Sequence, residues 1–409
     1  MRTIEADLVG IWHSLSFPSS FHWGGKLPPW MIRNSAQMIP MIARFNMSGG
    51  VQAHDAAPPF LRSYDFERLF TKLNQADLKR VLTWLLETVF QRRNKPLVRV
   101  RKGMSAIWRR GAMPAVRTGT DGGAKYYTFS CDSAITLVNY LIDNAFLMVG
   151  DDVYRQVKGI PMGISPAMYF ANFYLFFYEF MFLRDALQVF SSTPSRLQKA
   201  AIRQAVLAFH FMSRYADDAA IINRLPAHHA QDLFYVTQSC HGVHGIYPDC
   251  LRLHSSTVEP ARVLHVLDVS VSPANEISGP LVTRLYDKRW SPAFAGILAV
   301  MRFPAADSML AWSCKLNVFD AQFVRFSRII TDGDNFKHEV VRLMVEMIKA
   351  RYPHKALFRR CRRRCNITPM LFGMARGTRA PHNVHALSAR GLFPTIKAEV
   401  RAALNWPAS

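Results

Sequence analysis

Two adjacent carboxylates, Asp217 and Asp218, stand in the stretch SRYADDAAII (213–222) between short apolar runs. A carboxylate pair in a buried hairpin is costly unless a cation neutralises it, and Arg214 is the one basic residue on that turn. A divalent cation is the natural solution, because Mg2+ takes oxygen ligands and keeps waters and substrate phosphates in its shell. Such a site wants a further carboxylate from another strand. Asp65, in SYDFERLF (63–70), supplies it from the end of a short strand roughly 150 residues upstream. One aspartate on a strand end and two on a hairpin tip can hold two metals about 4 Å apart, a spacing that activates a hydroxyl and stabilises a leaving oxygen. The plainer alternative is that an aspartate on a turn only forms the turn.

The elements that must position these groups can be read from periodicity. FHFMSRYADDAAIIN (209–223) alternates and breaks at Ala216–Asp218, as a strand, turn and strand would. Residues 59–64 read as a short strand leading into Asp65. In 76–90 the apolar residues fall at 78, 81, 82, 85, 86 and 89, a helical spacing. Residues 130–148 read as a helix capped by Ser130. KGIPMG (158–163) is a turn that opens an apolar helix over 166–183, and 196–208 and 226–240 read as further helices. A short helix is expected over about 31–44, within a Trp-, Pro- and Gly-rich start. VLHVLDVSVS (263–272) and GPLVTRLYDKR (279–289) read as strands. In 316–330 the stripe Leu316, Phe319, Phe323, Phe326 and Ile330 leaves Arg325 and Arg328 off it, and 336–351 is a further amphipathic helix. Strands mixed with helices in the middle and a helical end make an α+β protein.

Composition narrows the partners. Against 51 Lys+Arg stand 29 Asp+Glu, a net charge of +22 that favours polyanions such as nucleic acid. The charge is concentrated: residues 91–117 hold nine Lys/Arg and no acid, and 291–409 hold nineteen against seven acids. These blocks flank an apolar, acid-bearing middle. The block 91–125, with its Gly and Pro, reads as a hairpin or loop. The six cysteines are scattered, as in a reducing compartment rather than a disulfide framework. Cys361 and Cys365, with His354 nearby, fall short of the four ligands of a zinc site; two free thiols in an Arg-rich helix are the simpler reading. The first residues carry acids early and no long apolar core, unlike a signal peptide. The apolar stretch 167–183 is short of a span and carries Asn172 and Glu179, so a buried helix is expected and no membrane partner.

The order of these motifs resembles a known family. YADD (215–218) resembles the YxDD signature of reverse transcriptases, SYDFERLF their first catalytic strand, and QVKGIPMGISPAMYFANFYLFFYE (156–179) the turn and helix beneath template and incoming nucleotide. HVLDVSVS followed by TRLYDKR resembles their later palm strands and primer-gripping hairpin. DFERLFTKLNQADLKRVLTWLLE is similar to the Penelope-like retroelement type, relatives of telomerase. The GIY at 245–247 lies between palm motifs with no YIG after it, so the resemblance is to a form lacking the GIY-YIG endonuclease.

The resemblance implies a right-hand polymerase: shortened N-terminal fingers (1–58), palm (59–90), a basic fingers insertion and helix (91–150), palm again (151–290), and a helical basic thumb and tail (291–409). It implies two Mg2+ ions, replaceable by Mn2+, held by Asp65, Asp217, Asp218 and the Phe66 carbonyl. Phe70 matches the bulky gate against a ribose 2′-OH, with core packing as its other reading. Tyr215, Lys158 and Gly159 match the nucleotide site, with Lys158 in the neighbourhood where relatives carry glutamine, and Lys26 and Arg33 are candidates to grip the triphosphate. Gly163, Tyr286, Lys288, Arg289, Arg325 and Arg328 fall where primer and template bind. The family's general-acid lysine has no match: 225–272 contain no Lys, leaving Arg252, His254 and Arg262 as weaker substitutes. RRCRRRC (359–365) reads as a phosphate-tracking face, a nuclear import signal or a solvated face.

The expected activity is RNA-directed DNA synthesis, with an RNA template, a DNA primer or RNA–DNA duplex and dNTPs as partners, in the nucleus if the element is eukaryotic. Two alternatives stay open: a catalytically degenerate RNA-binding protein of the same fold, and an RNA-dependent RNA polymerase, which Phe70 and YADD disfavour.

Overall fold

The computed structural model describes residues 2–15, 29–47, 59–101, 107–109, 116–121, 124–160, 163–223, 233–256, 262–275, 278–290, 303–367 and 389–406. Lys26 lies outside them, as do Pro161 and Met162 of the KGIPMG turn and the first part, 226–232, of the helix expected at 226–240.

Along the chain, α1 (Arg2–Trp12) and α2 (Met38–Phe45) precede β1 (Phe60–Phe66), the single turn α3 (Leu69–Lys72) and α4 (Gln75–Arg93). Asn74 caps α4 by accepting from the Asp77 N–H, and the apolar positions of its stripe are buried. Such a cap contributes about 1 kcal/mol. Then come β2 (Leu97–Arg101), β3 (Ile107–Arg109), β4 (Val116–Asp121) and β5 (Ala124–Phe129). They form a sheet in the order β3-β2-β5-β4, so the described residues of the basic segment follow the hairpin reading and not the loop. The Arg99 guanidinium lies over the Tyr126 ring, 3.9 Å from its centroid.

Helix α5 (Cys131–Asp143) opens on a capping box between Ser130 and Ser133. It stops earlier than its apolar pattern predicts: FLMV is β6 (Phe146–Val149), paired with β7 (Asp152–Arg155). A short apolar run suits strand or helix equally, and here the cross-strand partner decides. Helices α6 (Ala167–Ser192) and α7 (Arg196–Leu207) follow. Among the described residues no helix is long and apolar enough to cross a membrane.

The hairpin β8 (Phe211–Tyr215) and β9 (Asp218–Asn223) turns where its sequence breaks. Next are β10 (Ser239–Cys240), β11 (Val243–His244) and β12 (Leu253–Ser255). The described part of 226–240 is turns, an isolated bridge and β10, not a helix. Gly245 explains the close packing there, since a Cβ would stand 2.2 Å from the Tyr235 carbonyl oxygen. VLHVLDVSVS is two strands, β13 (Leu264–Val266) and β14 (Val269–Asn275), broken where Leu267 takes φ 55°. Strand β15 (Ser278–Leu285), α8 (Trp312–Ile329), α9 (Gly333–Lys349), α10 (His354–Ile367) and α11 (Ala389–Ala403) complete the described chain.

The chain forms two compact units, one of residues 1–32 and 64–256, the other of 33–63 and 257–409. The first holds β8, β9, β12 and the Tyr64–Phe66 end of β1, and Arg214 of β8 bonds Glu179 and Asn172 of α6; the aromatic face of α6 joins a cluster of Trp12, Trp30, Phe176, Phe182 and Phe209. In the second, the meander β13-β14-β15 is tied to helices through side chains: Asn46 exchanges two hydrogen bonds with the Leu281 backbone, and Thr283 Oγ1 donates to the Ile329 carbonyl at 2.5 Å. Leu316, Phe319, Phe323 and Phe326 bury one stripe of α8, as their spacing predicts.

Candidate active site

Strand alternation aims the first aspartate. On β1, Tyr64 and Phe66 point into the core, against Phe234 (4.7 Å) and Tyr247 (4.9 Å), so Asp65 between them is turned to the exposed face. The Phe66 N–H donates to the Asp217 carbonyl at 3.1 Å, which sets the end of β1 against the tip of the β8–β9 hairpin. Tyr215 and Asp218 are paired residues at that tip, both partly exposed. The structure therefore brings Asp65, Phe66, Tyr215, Asp217 and Asp218 together at one end of one sheet.

The tip is strained. Ala216, immediately before Asp217, has φ 51° and is almost wholly buried, a conformation that residues other than glycine rarely adopt. Its carbonyl accepts from Arg214 Nη1 at 3.0 Å. Arg214 also reaches Glu179 Oε1 at 2.5 Å and Asn172 Oδ1 at 2.8 Å, both on α6, and Tyr247 donates its hydroxyl to Glu179 at 3.0 Å. The single arginine near the aspartates in sequence is thus engaged with a glutamate and does not serve as their counter-ion. Burial with this glutamate pushes the Tyr247 hydroxyl well above its ordinary range. Glu179 and Asn172 had a readable signal: polar groups on an otherwise apolar helix need a partner, and that partner lies 35 residues or more away along the chain.

The turn before α6 grips the segment after β1. Gly159 N–H donates to the Leu73 carbonyl and Ile160 N–H to the Phe70 carbonyl, while Gln75 Nε2 bonds the carbonyls of Gln156 and Gly159. Phe70 is only 8% exposed, so its ring packs in the core; Lys158 is exposed, as is Gly163. On the other side of β1, His254 is the ladder partner of Asp65 and lies 3.4 Å from Glu67. The hydrogen bond to His254, with Lys72 nearby, holds the Glu67 carboxyl below its ordinary value. Arg252 gives its carbonyl to the Glu67 N–H.

The remaining candidates belong to the second unit. Tyr286 stacks on His265, with centroids 4.0 Å apart. Arg289 is held by Asp287 (2.9 Å) and Glu346 (3.8 Å), and Arg325 Nε by Asp268 at 2.6 Å. Lys288, Arg328 and Arg33 are exposed. Cys361 and Cys365 are buried on α10, where their mutual hydrogen bond and burial push the Cys361 thiol up.

Among the described residues no three His, Cys, Asp or Glu side chains form a metal cage by themselves. The donors at the sheet end nonetheless suit Mg2+, which is commonly bound by one or two carboxylates with waters and substrate phosphates completing its octahedron. The Asp217 side chain makes no hydrogen bond or ion pair among the described residues, which leaves it available as such a ligand.

No family model and no curated protein sequence matches the chain. Among solved structures, telomerase from Candida albicans in complex with the TWJ fragment of telomeric RNA is similar at TM-score 0.59 and 11% identity, over 98% of this chain and 56% of that one. Telomerase from Candida tropicalis aligns less well, at 0.41 and 11% with the TWJ fragment, over 100% of this chain and 55% of that one. Its apo form aligns at 0.43 and 9%, over 99% and 55%. The fold is of a mixed α/β class with antiparallel sheets, and the particular fold it resembles is that of telomerase. The chain spans little more than half the length of those telomerase chains.

Proposed function

We propose that this chain is an RNA-directed DNA polymerase of a retroelement, of the Penelope-like, telomerase-related type, without the GIY-YIG endonuclease. The observation that carries this reading is the meeting of Asp65 on β1 with the strained Asp217–Asp218 tip, joined by the bond from Phe66 to Asp217. The telomerase-like fold and the net charge of +22 support it. On this reading the sheet of β1, β8, β9 and β12 is the palm, and the basic helices α8 to α10 belong to the thumb.

Asp65 and Asp217, with Asp218 and the Phe66 carbonyl, would hold two Mg2+ ions or their Mn2+ substitutes. Such ions would supply positive charge for activating a primer 3′-OH and for stabilising a pyrophosphate leaving group. The chain's own part is positional. The buried partners of Tyr64 and Phe66 fix the direction of Asp65, and the β8–β9 turn fixes Asp217. The Gly159 turn holds the segment that carries Phe70, and Lys158 stands exposed beside it for phosphate. The RNA template and primer meet the basic surface, and the nucleus is the expected compartment of a eukaryotic element.

The purified chain should extend a DNA primer on poly(rA) with dTTP and Mg2+ or Mn2+. Asp65→Asn and Asp217→Asn should each abolish extension while RNA binding persists. RNA binding with no extension by the parent chain, unchanged in both variants, would make it a binding protein of this fold. Preference for UTP over dTTP would make it an RNA polymerase.

A further inference from the structure

The Arg214 guanidinium is fully buried and spends its hydrogen bonds on five acceptor atoms: Glu179 Oε1 at 2.5 Å and Oε2 at 3.5 Å, Asn172 Oδ1 at 2.8 Å, the Ala216 carbonyl at 3.0 Å and the Asn172 carbonyl at 3.4 Å. Its backbone is engaged as well: its N–H donates to the Trp30 carbonyl at 2.7 Å, and its carbonyl accepts from the Ile32 N–H at 2.8 Å. One residue thus joins the segment before α2, the long helix α6 and the hairpin tip.

The contact with Ala216 has a particular consequence. Ala216 is held at φ 51°, which an alanine avoids, and it is the residue that turns the chain into Asp217. A strained residue persists only where its surroundings over-determine it. Here the guanidinium binds the carbonyl of the strained residue itself, and Glu179, buried and doubly bonded by Arg214 and Tyr247, prevents the guanidinium from moving.

We infer that Arg214, locked by Glu179 and Tyr247, is the positioning residue of the hairpin tip: it holds Ala216 left-handed so that Asp217 is presented beside Asp65. Arg214 touches neither substrate nor metal, and acts through the backbone of Ala216. Lysine cannot replace it, because a single ammonium cannot serve Glu179, Asn172 and the Ala216 carbonyl in the fixed plane of a guanidinium. The inference rests on the polymerase reading for its effect on turnover, but the geometry of the tip can be read without it.

The test uses the double variant Arg214→Met/Glu179→Leu in the full chain carrying Tyr247→Phe, so that no buried hydroxyl is left without its acceptor. Replacing a buried ion pair by apolar residues of similar volume commonly preserves the fold, whereas breaking one partner does not. The double variant should keep the parent's unfolding midpoint to within a few degrees, with kcat for dTTP incorporation about 100-fold lower and KM within threefold. Amide hydrogen exchange at residues 215–218 should be at least tenfold faster than in the parent, with exchange in α4 unchanged. Arg214→Lys should show the same loss of kcat. A double variant that turns over like the parent, or whose tip amides exchange at the parent's rate, would overturn the inference. If the parent chain itself extends no primer, the polymerase reading fails, and the exchange measurement alone decides whether Arg214 holds the tip.

Discussion

Gly159 shows how much a single residue decides at the turn before α6. With φ 77°, a Cβ there would stand 2.3 Å from the Phe70 carbonyl oxygen and 2.7 Å from the Thr71 Cα. Both are backbone atoms, so no side chain can swing aside, and the Ile160-to-Phe70 and Gly159-to-Leu73 bonds would part. Gly159→Ala should cost more than about 1 kcal/mol in chemical denaturation. On the polymerase reading it should also raise KM for dNTP, because the Phe70 segment would shift. Gly163→Ala is the stability comparison: nothing lies within 4 Å of its Cβ position, so the change should stay within about 0.5 kcal/mol. Equal losses in both variants would show that the turn is merely intolerant of side chains.

At the scale of elements, α4 and α6 are joined by one carboxylate. Asp77, near the start of α4, accepts from Tyr174 Oη at 2.7 Å and Tyr178 Oη at 2.5 Å, and is bonded by Arg80. Burial alone would raise its pKa, but the hydrogen bonds from Tyr178, Tyr174 and Arg80 outweigh it and hold the carboxyl below its ordinary 3.8. The same burial pushes the Tyr178 hydroxyl up to about 12. A carboxylate with a depressed folded pKa stabilises above its unfolded value, and the contribution disappears as pH falls through the folded one. Stability followed from pH 5 down to pH 2 should therefore fall less steeply in Asp77→Asn than in the parent; parallel curves would show that the link carries no proton-dependent energy. Elements like α4 and the β8–β9 hairpin were legible because their signals are local: an apolar period with a cap, and alternation broken by a turn. The Arg214–Glu179–Tyr247 group was not, because its members are 35 and 68 residues apart and only folding shows which buried charge meets which. The FLMV strand was misread as helix end for the opposite reason: its local pattern fits both, and the partner strand settles it.

For the whole molecule, the net charge of +22 argues for a polyanionic partner, but the structure divides the basic residues by what they already hold. In α10, Arg360 and Arg364 are both bound to Asp320 of α8, so part of the RRCRRRC run is structural. Arg359, Arg362 and Arg363 are exposed, on the side of the helix away from buried Leu357, Cys361 and Cys365. If this face tracks phosphates, as the polymerase reading proposes, each arginine releases counterions on binding. Affinity for an RNA–DNA duplex, measured by fluorescence anisotropy, should fall linearly with salt on a log–log plot. Replacing Arg359, Arg362 and Arg363 by alanine should then reduce the slope by about 3, in keeping with roughly 0.9 per phosphate contact on a duplex. Replacing Arg364 should instead lower the unfolding midpoint, because it leaves the partly buried Asp320 with one cation fewer. An unchanged salt slope in the triple variant would assign these arginines to solvent or to another receptor, and would move the nucleic-acid surface elsewhere on the chain.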